Sequence, residues 1–365
     1  MNKWKKCKLG DALNFRRGHD LPKSSMIEGE VPVAGSNGVI GCHNVSTPIS
    51  PCITIGRSGN VGTPYIYDKC WAHNTVLYID DYKGNHPRYL YYLLKNLPLA
   101  SFGGGSAVPT LNRNHIHPIE ISLPPLAEQK RIADILGAID DKIELNRRIN
   151  ANLEQQAQAL YKSWFVDNKK DDWEEGVASD YYNITIGKTP PRKETKWFST
   201  DKKDHVWISI SDMGKHGMYL GQSSEYLTQS AIEKFSIVIV PDKTVLLSFK
   251  LTIGRVVISD GNVTTNEAIA HFNTNDQNLL EYTYLSLKNY EFAALGSTSS
   301  IAIAVNSKTI KSMRWIMPNR DLINQFHEKV GPLFNMIRQN EKEINYLSTL
   351  RDTLLPKLMS GEITV

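Results

Sequence analysis

The same unit is written twice in this chain, and each copy ends in a long stretch with an apolar heptad stripe. In the first copy the stripe is Ile132, Leu136, Ile139, Ile143, Asn146, Asn150, Leu153, Ala157, Leu160 and Trp164. In the second it is Phe326, Val330, Leu333, Ile337, Asn340, Ile344, Leu347, Arg351, Leu354 and Leu358, offset throughout by 194. Steps alternating between three and four place every stripe residue on one helical face, which seeks a partner helix. Helices of about 40 residues would each be roughly 60 Å long. A repeat of this size predicts two similar heads, two similar helices and an approximate two-fold.

The heads repeat as well. Trp4, Asp11, Asn14 and Gly18 fall on Trp173, Asp180, Asn183 and Gly187. Gly62, Asp68 and Asn74 fall on Gly254, Asp260 and Asn266, and Ser106, Asn112, Ile116 and Pro124 on Ser300, Asn306, Ile310 and Pro318. The offset changes between the first two blocks, so the second head carries an insertion within about 188–244. Each middle block reads as a β-hairpin around a Gly- and Ser- or Thr-containing turn. A Tyr/Leu-rich helical stretch, a glycine-rich loop and a short strand ending at proline follow. The expected fold class is α+β: a first head over 1–124, a helix over 125–168, a second head over 169–318 and a helix over 319–365. If the helices pair about a two-fold they run antiparallel. The stripes then centre on Asn146 and Asn340, which are expected side by side near the dyad, fixing register at some cost in stability.

Charge gives a weaker signal. Residues 1–124 carry thirteen Lys/Arg against eight Asp/Glu, whereas residues 169–318 carry seventeen of each. Any nucleic-acid footprint in the second head must therefore come from local clustering. No apolar run reaches the length of a membrane span, and the simplest expectation is a cytoplasmic protein. Cys7, Cys42, Cys52 and Cys70 all lie in the first head, at spacings that fit no tight zinc knuckle, and read as free thiols.

The segment LPPLAEQKRIADILGAIDDKIELNRRINANLEQQAQALYKSWF (123–165) closely resembles the central region of the specificity subunits of Type I restriction–modification enzymes. LRDTLLPKLMSGEI (350–363) resembles their distal region, and SNGVIGCHN (36–44) with the Gly62–Asn74 segment looks like their target recognition domains. The resemblance implies that each head reads one half of a bipartite, asymmetric sequence in double-stranded DNA. It implies an antiparallel coiled coil that sets the spacer and docks two methyltransferase subunits. These methylate adenine with S-adenosylmethionine, and restriction subunits add cleavage that uses ATP and Mg. It further implies that this chain binds no cofactor and catalyses nothing.

The residues agree with a non-catalytic role. Pro124-Pro125 and Pro190-Pro191 have the wrong flanks for an adenine-methylation motif. Phe102–Gly105 follows a helical stretch instead of opening one after a strand, and Gly56–Gly62 lacks the Gly-Lys-Ser/Thr of a phosphate loop. Pro241-Asp242 with Ser248-Phe249-Lys250 places a serine where a nuclease needs a metal-binding carboxylate.

Base readout needs Arg or Lys for guanine, Asn or Gln for adenine and small hydroxyl residues at base edges. In the first head this selects Ser36, Asn37, His43, Arg57, Ser58, Asn60 and Ser106. In the second it selects Lys188, Arg192, Lys215, His216, Lys250, Thr252, Ser297 and Thr298. Two heads about a two-fold would present half-sites roughly 34–36 Å apart, centre to centre. Glu128, Gln129, Arg131 and Tyr161 are the candidate contacts to a methyltransferase subunit, with Trp164 and Phe165 open to a docking or a core role.

Overall fold

The computed structural model of the chain describes residues 4–104, 109–215, 217–292 and 305–365. The chain forms two compact units, Met1–Glu144 with Asn345–Val365, and Leu145–Ile344. Contacts therefore do not group along the linear order of head, helix, head and helix. Each unit holds one head, the first part of the helix that follows it, and the last part of the other helix.

In the first unit β1 (Lys5–Lys8), α1 (Leu9–Ala12) and β2 (Asn14–Arg17) lead into a small hairpin, β3 (Val31–Gly35) and β4 (Gly38–His43). Then come β5 (Cys52–Gly56), β6 (Pro64–Tyr67), β7 (Trp71–Ala72), β8 (Val76–Asp81), α2 (Pro87–Asn96), α3 (Arg113–Ile116), β9 (Glu120–Leu123) and α4 (Leu126–Tyr161). The main sheet has the order β2-β8-β5-β6, a second sheet has the order β4-β3-β7, and β1 pairs with β9. Strand β5 is buried at every position, as expected of a central strand covered on both faces. Phe15, Ile53, Ile55, Tyr89, Tyr92 and Leu93 build the core with Ile132 and Leu136 of α4 and with Leu355 and Leu358.

The second unit repeats this frame. It runs β10 (Glu174–Val177), α5 (Ala178–Tyr181), β11 (Asn183–Ile186), β12 (Phe198–Ser199), β13 (His205–Ile208), α6 (Ile210–Met213), β14 (Tyr219–Leu220), β15 (Tyr226–Leu227) and α7 (Gln229–Phe235). After these come β16 (Val245–Ser248), β17 (Val256–Ser259), β18 (Thr264–Thr265), β19 (Ile269–Asn273), α8 (Leu280–Lys288), α9 (Ser307–Lys311), β20 (Arg314–Met317) and α10 (Arg320–Ser360). The main sheet is β11-β19-β16-β17-β14, and β10 pairs with β20 as β1 pairs with β9. Parallel pairing of β13 with β18 repeats that of β3 with β7. The inserted residues supply β12, β14, β15, α6 and α7; β12, β15 and α7 enclose Trp197, Trp207, Leu227 and Ile232 as a separate small core, whereas β14 extends the main sheet and Leu220 packs with Met213 of α6 in another cluster.

No residue of either stripe is exposed. Within the second unit the end of α4 lies antiparallel to the start of α10, with Trp164 against Phe326 at 5.6 Å and Asn340 Nδ2 donating to Asn150 Oδ1 at 2.8 Å. A π-helical turn, Lys162–Asp167, finishes α4. Lys162 reaches Asp167 at 2.6 Å, and Asn168 Nδ2 donates to Ser163 O at 2.7 Å, both five residues apart. The widened turn half-buries Trp164 and buries Phe165, whose ring sits edge-on to Tyr282 and Phe326 at 4.9 and 4.8 Å. Such pairs contribute about 0.5–1.5 kcal/mol each beyond area burial. Trp164 and Phe165 thus belong to the core.

The expected pairing of Asn146 with Asn340 is corrected by one helical turn. Asn340 meets Asn150, and Asn146 Nδ2 donates to Glu343 Oε2 at 2.8 Å. Centring the two stripes assumes that register follows stripe ends, whereas Asn340 pairs four residues further along α4, where Trp164 and Phe165 also pack on Phe326. Asn146 is only 1% exposed, and its Oδ1 has no partner. An unsatisfied buried acceptor costs about 1–3 kcal/mol. Asn146→Leu should therefore raise stability by about 1 kcal/mol, read as a higher denaturant midpoint at unchanged m-value.

Glu341 of α10 accepts from Met218 N at 2.7 Å and Tyr219 N at 2.8 Å, tying the insertion to the helix. Burial nevertheless pushes its carboxyl up to about 7, outweighing those two hydrogen bonds. The folded state then holds a proton that the unfolded chain has lost, so this group's contribution is full below about pH 4.5 and declines as pH rises toward 7. Thermal melts between pH 5 and 8 should show this decline in the parent and a shallower one in Glu341→Gln.

Candidate nucleic-acid interface

In the first head two turns come together. The β3–β4 hairpin turns through Ser36 and Asn37, half-buried and exposed respectively. Beside it runs the β5–β6 turn, where a side chain at Gly59 would lie 3.9 Å from Ser36 Oγ. Arg57 N donates to Thr75 O at 2.8 Å, and Leu111 N donates to Arg57 O at 2.7 Å, stitching the turn between two other segments. Ser58 bridges Thr110, and exposed Asn60 accepts from Thr63 Oγ1 at 3.1 Å. Gly62 closes the turn at φ +81° and its counterpart Gly254 at φ +87°, a backbone region that disfavours any side chain.

Next to Arg57 opens a cleft of about 430 Å³ lined by Arg16, Arg17, Arg57 and Arg113 with Thr110 and Asn112. Arg57 Nη1 donates to Asn74 O at 3.4 Å and Arg113 Nη1 to Phe15 O at 3.1 Å. These bonds aim each guanidinium while sparing most of its five donors. His117, whose Nε2 accepts from Phe15 N at 3.2 Å, is held below the usual imidazole range by burial and then by Arg113. The cleft can bind phosphate oxygens or guanine edges bidentately. Of its arginines, sequence reasoning selected Arg57 alone. The adjacent Arg16-Arg17 on β2, an edge strand of the main sheet, was the available signal. Arg113 reaches the cleft only through the fold.

His43 is withdrawn from the interface. It is buried against Trp71, and its Nδ1 accepts from Ile27 N at 3.1 Å. Cys52 and Cys70 are buried free thiols, and Cys7 and Cys42 are free as well. Among the described residues no cluster of His, Cys, Asp or Glu is placed to hold a metal.

In the second head Lys250 and Thr252 are exposed on the matching β16–β17 turn. Lys215 is exposed after α6. Lys188 and Arg192 are exposed but already hold partners within the fold. Lys188 Nζ donates to Phe235 O and Ser236 O, both at 3.0 Å, so it caps the C-terminus of α7. The Arg192 guanidinium lies 4.5 Å from both the Phe198 and Trp207 rings and donates to both carboxylate oxygens of Glu225 at 2.8 and 2.9 Å. One face and one edge of the guanidinium are thus engaged, while the side chain stays half exposed. Ser106, His216, Ser297 and Thr298 lie outside the described residues.

On the helices, Arg131 is exposed and Glu128 half-buried, accepting from Trp4 Nε1 at 3.2 Å. Gln129 and Tyr161 are not docking residues. Gln129, 2% exposed, accepts from His86 N at 3.0 Å and donates to Asn85 Oδ1 and Pro124 O at 2.9 Å. Tyr161 is buried and donates to Ser286 Oγ at 3.1 Å. No helix among the described residues is long and apolar enough to cross a membrane.

A family model for the Type I restriction modification DNA specificity domain matches residues 1–155 and again 170–346. The Type I restriction enzyme HindI specificity subunit of Haemophilus influenzae is 26% identical, with 70% of this chain and 71% of that protein covered. The MjaIX specificity subunit of Methanocaldococcus jannaschii is 28% identical, with 76% and 69% covered. The crystal structure of a Type I restriction–modification S subunit from M. genitalium superposes with a TM-score of 0.62 at 15% identity, covering 98% of this chain and 96% of that one.

Proposed function

The chain belongs to the Type I restriction–modification DNA specificity family, and on that premise we propose that its heads read the two parts of one split, asymmetric DNA sequence. The observation that carries this is one scaffold used twice with different side chains at its tip. The β5–β6 turn offers Arg57, Ser58 and Asn60; at the matching positions the β16–β17 turn offers exposed Lys250 and Thr252, while Phe249, in the place of Arg57, is buried in the core. A shared frame with unlike tips suits two unlike half-sites.

In this reading α4 and α10 form an antiparallel coiled coil whose length sets the spacer between half-sites. Asn146, Asn150 and Asn340 at its seam fix the register, a role in which polar seam residues trade stability for alignment. The exposed helix faces, with Arg131 and Glu128 near the start of α4, dock two methyltransferase subunits that modify adenine with S-adenosylmethionine. Restriction subunits add ATP- and Mg-dependent cleavage to the same assembly. This chain contributes recognition and no catalytic group.

Within the first head the arginine cleft carries phosphate contact. Neutralising a phosphate releases counterions, and each such contact adds about 0.9 to the slope of log affinity against log salt. Arg16→Gln with Arg113→Gln should lower that slope by about two without changing the sequence read. Salt titration of specific binding by the assembled complex measures it.

The reading as a whole is tested by co-expressing the chain with its methyltransferase subunit and mapping methylated adenines by single-molecule sequencing. The expected result is a split, asymmetric motif that disappears when this chain is deleted. Methylation that persists unaltered without the chain would defeat the proposal.

A further inference from the structure

The two hairpin tips differ at one position in a way that folding does not favour. At the tip of the β5–β6 turn stands Gly59, with φ +82°. The matching residue of the second head is Leu251, with φ +60° and 100% exposure. A leucine is disfavoured in the left-handed region, and one that is wholly exposed recovers nothing through burial. Glycine or asparagine would occupy the same backbone with less strain.

The tip is also firmly held. Ser248 Oγ donates to Thr252 O at 2.6 Å and accepts from Arg255 N at 3.0 Å. Gly254 N donates to Ser248 O at 3.0 Å, and Thr252 N donates to Lys250 O at 2.7 Å. These bonds fix the turn with the leucine side chain projecting from it, between Lys250 and Thr252. An unfavourable backbone state held in place by its surroundings is a mark of a functional position.

We propose that Leu251 is a base-reading residue of the second head, packing against the 5-methyl group of a thymine in the major groove of that half-site. The groove follows from size: a two-stranded ribbon enters the major groove, about 12 Å wide, and not the minor groove, about 6 Å wide. The thymine methyl is the one apolar feature that base edges present there. Lys250 and Thr252 beside it supply a phosphate or guanine contact and a hydroxyl for a polar edge. This inference rests on the second head reading DNA, as proposed above.

The test uses the assembled complex of the full chain with its methyltransferase subunit, on the split motif found by methylation mapping. Leu251→Gly and Leu251→Asn are compared with the parent for Tm, for binding to that motif, and for binding to duplexes in which each second-half-site dT is replaced by dU. Expected are unchanged or raised Tm in both variants and about five- to tenfold weaker binding. One dU replacement should weaken the parent by a similar factor and leave both variants unaffected. The inference is overturned by unaltered affinity and motif, by a drop in Tm that marks Leu251 as a packing residue, by dU effects that persist in the variants, or by a half-site without thymine. A complex that methylates with no second half-site at all would instead defeat the reading of that head as a DNA reader.

Discussion

The second unit depends on the contact between the end of α4 and the start of α10. Phe165, carried inward by the π-helical turn, packs among Tyr161, Trp173, Tyr282 and Phe326. Trp173 precedes β10, Tyr282 lies on α8 and Phe326 on α10, so one side chain joins the head to both helices. A smaller residue at 165 would open a cavity at the junction of all three elements, where relaxation is hardest. Among the described residues of the first unit, the helix junction carries a different contact. There Arg351 Nη1 donates to Asp140 Oδ1 at 2.8 Å while Tyr92 OH donates to Asp140 Oδ2 at 2.7 Å. In the first unit this polar triad adds to the apolar core that Ile132, Leu136, Leu355 and Leu358 build with the head.

Much of this frame was legible from the sequence because it is periodic or repeated. The stripes locate α4 and α10, and the matched glycines Gly62 and Gly254 mark turns that need positive φ. What escaped was set by long-range packing. Gln129 and Tyr161 are polar or amphipathic on the first helix and read as surface, yet the loop before α2 and the face of α8 cover them. Arg192 reads as a free cation, yet it stacks on Phe198 and Trp207 and pairs with Glu225. His43 reads as a base contact until the Ile27 amide and Trp71 enclose it. The arginine cleft joins residues 16 and 113, which no local spacing relates. The sequence names donors well and says little about which are already engaged.

The engaged residues and the available ones fall into different layers. Some cations hold partners within the fold: Lys188 caps α7, Arg192 stacks within the insertion, and Arg338 of α10 donates to Asp260 Oδ1 and Asp242 Oδ1, both at 2.6 Å. Those left to solvent lie at the tips: Asn37, Asn60, Lys215, Lys250 and Leu251. A rigid base with variable tips is how a scaffold changes specificity without changing stability, since tip residues contribute little packing.

The heads also divide electrostatic work unequally. The first carries a net positive charge and a four-arginine cleft, whereas the second is balanced and has several of its cations tied up internally. If both heads bind DNA, phosphate attraction and its salt dependence fall mainly on the first. The second must gain its share from shape and from uncharged contacts at base edges, which do not weaken with salt. A split site read this way would lose first-head contacts before second-head contacts as ionic strength rises. Specificity at the second half-site would then outlast affinity, which is the order a complex needs if it is to release wrong sites before right ones.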